Sequence, residues 1–251
     1  MIDVHTHLEQ SDYDSDRDQV IEMCKQKLNA VVTCCAHPDD FSLTMKMIER
    51  YKNFLFATLS IHPIYIKKID EKQKNEFFDL IIKNKDKIVG IGETGLDYFH
   101  VKEDEWRQKQ KQLFIEHISL AKQLKKPIVI HSRDAVGDVV NILEKEDAKN
   151  VLMHLFGARH LVKKVIENNW SISVGPIAQR SKTHKKIIRD MPIENIMLET
   201  DSPWFGPEGK RNDSTAVIGV ANRISEVKKI TPEEVDRITT QNAIKFFDLK
   251  I

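Results

Sequence analysis

The sequence has almost no net charge: 39 Lys and Arg against 38 Asp and Glu leave +1 at pH 7. A protein that held nucleic acid mainly by electrostatics would be more basic, at least locally. A pure nucleic-acid binding module is therefore disfavoured, whereas an enzyme acting on nucleic-acid ends is not. Cysteine is scarce as well. Three residues, Cys24, Cys34 and Cys35, are an odd number without regular spacing, which excludes a disulfide framework. They read as small buried hydrophobes. No run approaches the ~18 uncharged apolar residues of a membrane span. Met1 leads straight into strand-like sequence with no charged leader or cleavage site, so a reducing, cytoplasmic location is expected. No low-complexity linker, composition break or residue-level repeat divides the chain, and one domain over residues 1–251 is expected.

What is present is alternation. Short apolar runs over Ile2–Leu8, Ala30–Ala36, Leu55–His62, Ile88–Leu96, Pro127–His131, Val151–Phe156, Ser171–Val174 and Ile196–Glu199 read as strands. Amphipathic stretches follow them: Asp16–Leu28, a helix beginning near Pro38, Glu71–Lys85, Glu105–Leu124, Asp138–Glu144, His160–Asn168, Lys185–Met191 and Ala216–Lys228. A further helix opens at Thr231-Pro232-Glu233-Glu234, a capping-box pattern with Pro at its first position. Parallel strands need crossover helices. Eight such units in 251 residues predict an α/β fold, a single (β/α)₈ TIM barrel with an additional C-terminal helix. The runner-up is an open doubly wound sheet.

In such barrels chemistry sits at the C-terminal ends of the strands, and metal-ligand residue types fall there. Within Asp3-Val4-His5-Thr6-His7 the period of two puts His5 and His7 on one face. Glu93, His131 and His154 end later strands, and Asp201 follows the eighth. A lone histidine of this kind is usually structural; four histidines and two carboxylates on one rim predict a metal centre. Imidazole with carboxylate suits zinc, manganese, iron or cobalt. Six ligands exceed what one tetrahedral ion needs, whereas two divalent ions ~3.5–4 Å apart and sharing a carboxylate would use them all. Glu93 is the natural bridge. Asp201 can touch the first ion and accept a proton from the bridging water, which metals acidify towards a pKa of ~7. Hydrolysis is the reaction class expected, with Asp201 and Glu93 as its catalytic carboxylates.

Six segments, in order, resemble the TatD family of metal-dependent hydrolases within the amidohydrolase superfamily. They are Asp3-Val4-His5-Thr6-His7, Ile61-His62-Pro63, Gly92-Glu93-Thr94-Gly95-Leu96-Asp97-Tyr98, Ile130-His131-Ser132-Arg133-Asp134-Ala135, His154-Leu155-Phe156-Gly157 and Glu199-Thr200-Asp201-Ser202-Pro203. The resemblance implies a barrel with two divalent metals (Zn, Mn, Mg or similar) and a deoxyribonuclease working from DNA ends. It implies that His5, His7, Glu93 and Asp201 hold one metal and that Glu93, His131 and His154 hold the other. The chain departs from the family at Ile64, at Leu155-Phe156-Gly157-Ala158 and at Asp213-Ser214 after Arg211-Asn212, all where substrate would be held.

For substrate contacts, His62 is expected to donate to a phosphate. Arg133 would clamp one or else pair with Asp134 or Asp97. Glu199 and Asp97 are candidates to orient imidazoles. Trp204 and Phe205 would stack on a base of single-stranded DNA or pack under a loop. The cluster Lys182, His184, Lys185 and Lys186 is either a solvated helix face or a contact to a DNA backbone. His37, His100, His117 and His160 read as surface or packing residues. The alternative function is amidohydrolase-type cleavage of an ester, lactone or amide, including an aminoacyl-tRNA ester, at the same site. No membrane partner is expected, and nothing points to a particular protein partner.

Overall fold

Every strand hydrogen-bonds to its sequence neighbours in a computed structural model describing residues 1–251, and the order β1-β2-β3-β4-β5-β6-β7-β8 is parallel throughout. Strands β1 (Ile2–Thr6), β2 (Ala30–Cys35), β3 (Leu55–Leu59), β4 (Gly90–Asp97), β5 (Ile128–Arg133), β6 (Val151–Met153), β7 (Ser171–Val174) and β8 (Ile196–Leu198) alternate with helices. These are α1 (Arg17–Lys25), α2 (Phe41–Arg50), α3 (Glu71–Lys83), α4 (Asp104–Leu124), α5 (Val136–Lys145), α6 (Val162–Glu167), α7 (Lys182–Asp190) and α8 (Val217–Lys228). The added C-terminal helix is α9 (Pro232–Phe247). The sheet is a nearly closed (β/α)₈ barrel. Its seam is drawn together beyond the end of β8, where Asp201 N–H donates to the His5 carbonyl (2.9 Å) and His7 N–H donates to that of Ser202 (2.7 Å).

Boundaries moved where turn chemistry intervened. The segment at Pro38 is a short 3₁₀ turn ahead of α2, and β6 stops at Met153, so His154 follows the strand rather than lying within it. Thr231 caps α9 by accepting from Glu234 N–H, but the reciprocal capping box forms at Asp70–Gln73, ahead of α3. No helix is long and apolar enough to cross a membrane.

Two irregularities position the chemistry. β1 carries one extra residue relative to β2 between Asp3 and Thr6, and β4 carries one relative to β5 between Ile91 and Thr94. Such bulges re-aim side chains, and each contains a key residue, His5 or Glu93. Glycine makes the second possible: Gly92 has φ +148°, and a β-carbon there would lie 2.6 Å from that of Val129. A β-carbon at Gly95 would collide with the His131 carbonyl, so β4 and β5 can approach closely beside Glu93. Ala243, Phe247 and Leu249 meanwhile pack with Ile2, Ala30, Val89 and Val129, covering the N-terminal ends of the strands.

His117 ties this scaffold to the loop that follows β3. It is fully buried, its Nδ1 donates to the Leu113 carbonyl (2.9 Å) and its Nε2 accepts from Ile61 N–H (3.1 Å). Burial pushes its pKa from 6.5 down to about 4. Between those two values the unfolded chain binds the proton and the folded one does not. Its contribution is therefore complete above pH 6.5 and is lost as pH falls towards 4, a loss of roughly 3 kcal/mol. Urea unfolding at neutral and acid pH should show a smaller acid loss in His117→Gln than in the native protein. Equal losses would contradict this account.

Candidate metal centre

Glu93 is 3% exposed and its two carboxylate oxygens face different groups of imidazoles. On one side, Oε2 lies 3.4 Å from His5 Nε2 and 3.6 Å from His7 Nε2. Those two nitrogens are 3.2 Å apart, and Asp201 Oδ1 stands 3.6 and 3.5 Å from them. Nitrogen and oxygen donors 2.0–2.2 Å from one ion stand about 3–3.5 Å apart in neighbouring coordination positions. The spacing of this group therefore fits a single divalent ion. Asp201 reaches it from the backbone just past β8, at φ +54°, a left-handed conformation that Asp tolerates better than most residues.

On the other side, Oε1 lies 2.6 Å from His131 Nδ1, 3.4 Å from His154 Nε2 and 3.5 Å from His62 Nε2. Hydrogen bonds sort these rings into two kinds. His154 Nδ1 meets Glu199 Oε2 at 2.7 Å, and His131 Nε2 meets Asp97 Oδ2 at 3.0 Å. His7 Nδ1 meets Glu9 Oε1 at 2.9 Å. In each case a carboxylate takes the N–H of one ring nitrogen and leaves the other nitrogen facing Glu93, as imidazoles that bind metals are usually held. His62 is the reverse. Its Nδ1 accepts from Ile64 N–H (3.2 Å), so the neutral ring carries its proton on Nε2 and presents a donor.

The electrostatics follow the same division. Burial opposes charge on every ring. For His154, Glu199, Glu93 and Asp201 outweigh burial and lift its pKa to about 10. For His131, burial is outweighed by Glu93 and Asp97, and the pKa is raised. For His62, burial together with the neighbouring His131 outweighs Glu93 and takes the pKa down to about 4. Burial would raise Glu93, yet His154, His62 and His131 hold it well below the usual carboxylate range. This cluster of buried carboxylates thus demands positive charge, which protons on imidazole or divalent ions can supply. Removing the Glu199 charge should loosen the His154 ring: Glu199→Gln is expected to weaken metal affinity about 10–100-fold, read by competition with a chelator. An unchanged affinity would show that Glu199 serves only the fold.

Sequence reasoning missed three neighbours. Glu9 continues the period of two from His5 and His7, the signal that would have found it, and its second oxygen accepts from Thr33 Oγ1. Cys34 is buried as expected, but its Sγ also lies within 4.8 Å of the His5, His7 and Glu93 donors. His100, read as surface or packing, lines the cleft with Nδ1 2.9 Å from Asp97.

Above these residues opens a cleft of about 670 Å³, lined among others by His7, His62, His131, Arg133, Trp204 and Phe205, and by Ile64 and Leu155 where the chain departs from the family pattern. The ion pair considered for Arg133 with Asp134 or Asp97 does not form; its guanidinium instead stacks 3.9 Å from the Phe99 ring. Trp204 and Phe205 are each 46% exposed rather than packed under a loop, and the Trp204 ring meets His7 edge-on at 4.9 Å. Arg211 pairs with Asp16 at 2.5 Å and lies over Tyr13, fastening the loop after β8 to the start of α1.

Comparison with known proteins agrees with this geometry. A family model described as "TatD related DNase" matches residues 2–248. Human deoxyribonuclease TATDN3 is 36% identical, over 98% of this chain and 94% of its own length. The uncharacterized metal-dependent hydrolase YabD of Bacillus subtilis is also 36% identical, over 98% of both chains. Among solved structures, the TatD homolog YJJV of Escherichia coli superposes with a TM-score of 0.91 at 22% identity, covering 100% of this chain and 98% of its own, which bears on the fold. With His, Glu and Asp clusters suited to divalent metal at the mouth of its barrel, the chain belongs to the TatD-related DNase family of metal-dependent hydrolases.

Proposed function

We propose that this protein hydrolyses DNA phosphodiester bonds, working from single-stranded ends with two divalent ions, to both of which Glu93 would be a ligand. His5, His7, Glu93 and Asp201 would hold the first ion, and Glu93, His131 and His154 the second. The observation that carries the reading is the division of the Glu93 carboxylate, with Oε2 towards His5 and His7 and Oε1 towards His131 and His154. Bound there, the ions supply an acidified water and neutralise phosphate charge.

The chain's own groups do the rest. Asp201, buried beside His5 and His7, accepts the proton released as the nucleophile forms. His62 offers Nε2–H to a phosphate oxygen. Arg133, free of any carboxylate partner and held flat by Phe99, presents a planar fork of the kind that matches phosphate. Trp204, exposed across the cleft, offers a face on which a terminal base stacks. The human relative is named a deoxyribonuclease, which favours this bond over others.

End-labelled single-stranded DNA incubated with protein reconstituted in magnesium, manganese or zinc tests the reading. Stepwise shortening is expected. Metal-loaded protein that leaves DNA intact and turns over esters, lactones or aminoacyl-tRNA would overturn it.

A further inference from the structure

Between Glu167 and Asp190 the chain has no carboxylate, although acids and bases balance almost perfectly over the whole sequence. That interval contains Arg180, Lys182, Lys185, Lys186 and Arg189. Arg189 pairs with Asp190; the other four are exposed and lie within 4 Å of no acidic group. On α7, positions 182, 185 and 186 stand at i, i+3 and i+4 and so share one face, while Ile187 and Ile188 are buried against the barrel. The result is an unneutralised cationic ridge whose helix begins at the end of the barrel that carries Glu93.

A groove leads to it. A cavity of about 640 Å³ begins at His154 and Arg133 and continues between the loops after β5 and β6 to Gly157 and Ala158. Arg133 lines both this groove and the cleft over Glu93. At its far end Gly157 lies beside α7: a β-carbon there would stand in ordinary contact, 3.7 Å, with the His184 ring. The groove, whose wall also carries Asp134 and Asp138, thus runs from the candidate metal centre to the side of α7, the helix that bears the lysines.

We infer that this groove and the cationic face of α7 form a second binding track, which holds the phosphate backbone of a DNA strand whose end lies at Glu93. The inference rests on the deoxyribonuclease reading and adds to it a prediction about substrate length. Phosphate contacts made by lysine are independent of base sequence and weaken with salt. The track would therefore favour longer single strands over short ones without selecting their sequence.

The test compares the native protein with the triple variant K182Q/K185Q/K186Q on two substrates, a dinucleotide and a single strand of about 16 nucleotides, ample for one small domain. For the strand, KM should rise about tenfold with kcat unchanged. The slope of log KM against log salt should fall by about 2, since each phosphate that a lysine no longer neutralises removes roughly 0.7 from it. Turnover of the dinucleotide should not change. An unaltered KM and salt slope on a strand that the native protein cleaves would overturn the track and leave α7 a solvated face. An equal loss on the dinucleotide would also overturn it, by tracing the effect to the cleft. Native protein that cleaves neither substrate would instead defeat the deoxyribonuclease reading beneath it.

Discussion

Glu93→Gln should lower DNA hydrolysis at least about a thousandfold and leave the protein with little bound metal, because in the proposed centre one carboxylate would serve both ion sites and the nucleophile would depend on them. Glutamine keeps the shape of the side chain and removes its charge. In the native protein that charge is surrounded: His5 and His7 lie within 3.6 Å of Oε2, and His131, His154 and His62 within 3.5 Å of Oε1. A neutral amide would present an oxygen to one group and an N–H to the other, and an N–H cannot ligate a cation. Whichever way the amide turns, one site loses its donor atom and the other loses the negative charge they share, so both should weaken. Metal content measured by mass spectrometry after dialysis, alongside shortening of an end-labelled strand, checks this. Near-native metal content together with near-native turnover would remove Glu93 from the centre of the account.

Asp201→Asn should separate metal binding from catalysis. His5, His7 and Glu93 still surround the first ion position, so most of the bound metal should be retained, whereas kcat should fall about 10²–10⁴-fold, the usual worth of a positioned base. KM should move little, since His62 and Arg133, the groups proposed to hold phosphate, are untouched. The native carboxylate is well suited to the task. Burial alone would raise its pKa, but His154, His7 and His5 outweigh burial and keep it ionised. Its backbone is pinned as well, by Asp201 N–H to the His5 carbonyl and by Trp204 N–H to the Asp201 carbonyl. If the variant lost its metal as completely as Glu93→Gln, Asp201 would be a ligand alone and the proton would need another acceptor.

Much of this was legible in the chain. The alternation of strand and helix depends on local periodicity, which a sequence displays directly, and it led to eight units and the right barrel. The ligand-type residues were legible for a related reason: strand ends are marked by the loss of apolar pattern, and in a parallel barrel they all emerge on one rim. What escaped was set by contacts between distant segments. The bulges at His5 and Glu93 appear in no propensity, although Gly92 was a hint, since glycine inside a strand often marks one. Glu199 and Asp97 were expected to orient imidazoles, and they do; which ring each would reach was hidden, since Glu199 meets His154 from 45 residues away. The ion pair of Arg211 was hidden in the same way, because its partner, Asp16, lies at the other end of the chain.

Anomalous diffraction from crystals loaded with manganese tests the central claim most directly. The account predicts two peaks about 3.5–4 Å apart, one beside Glu93 Oε2 among His5, His7 and Asp201, the other beside Oε1 between His131 and His154. A single peak, or two peaks with Glu93 bound to neither, would contradict it.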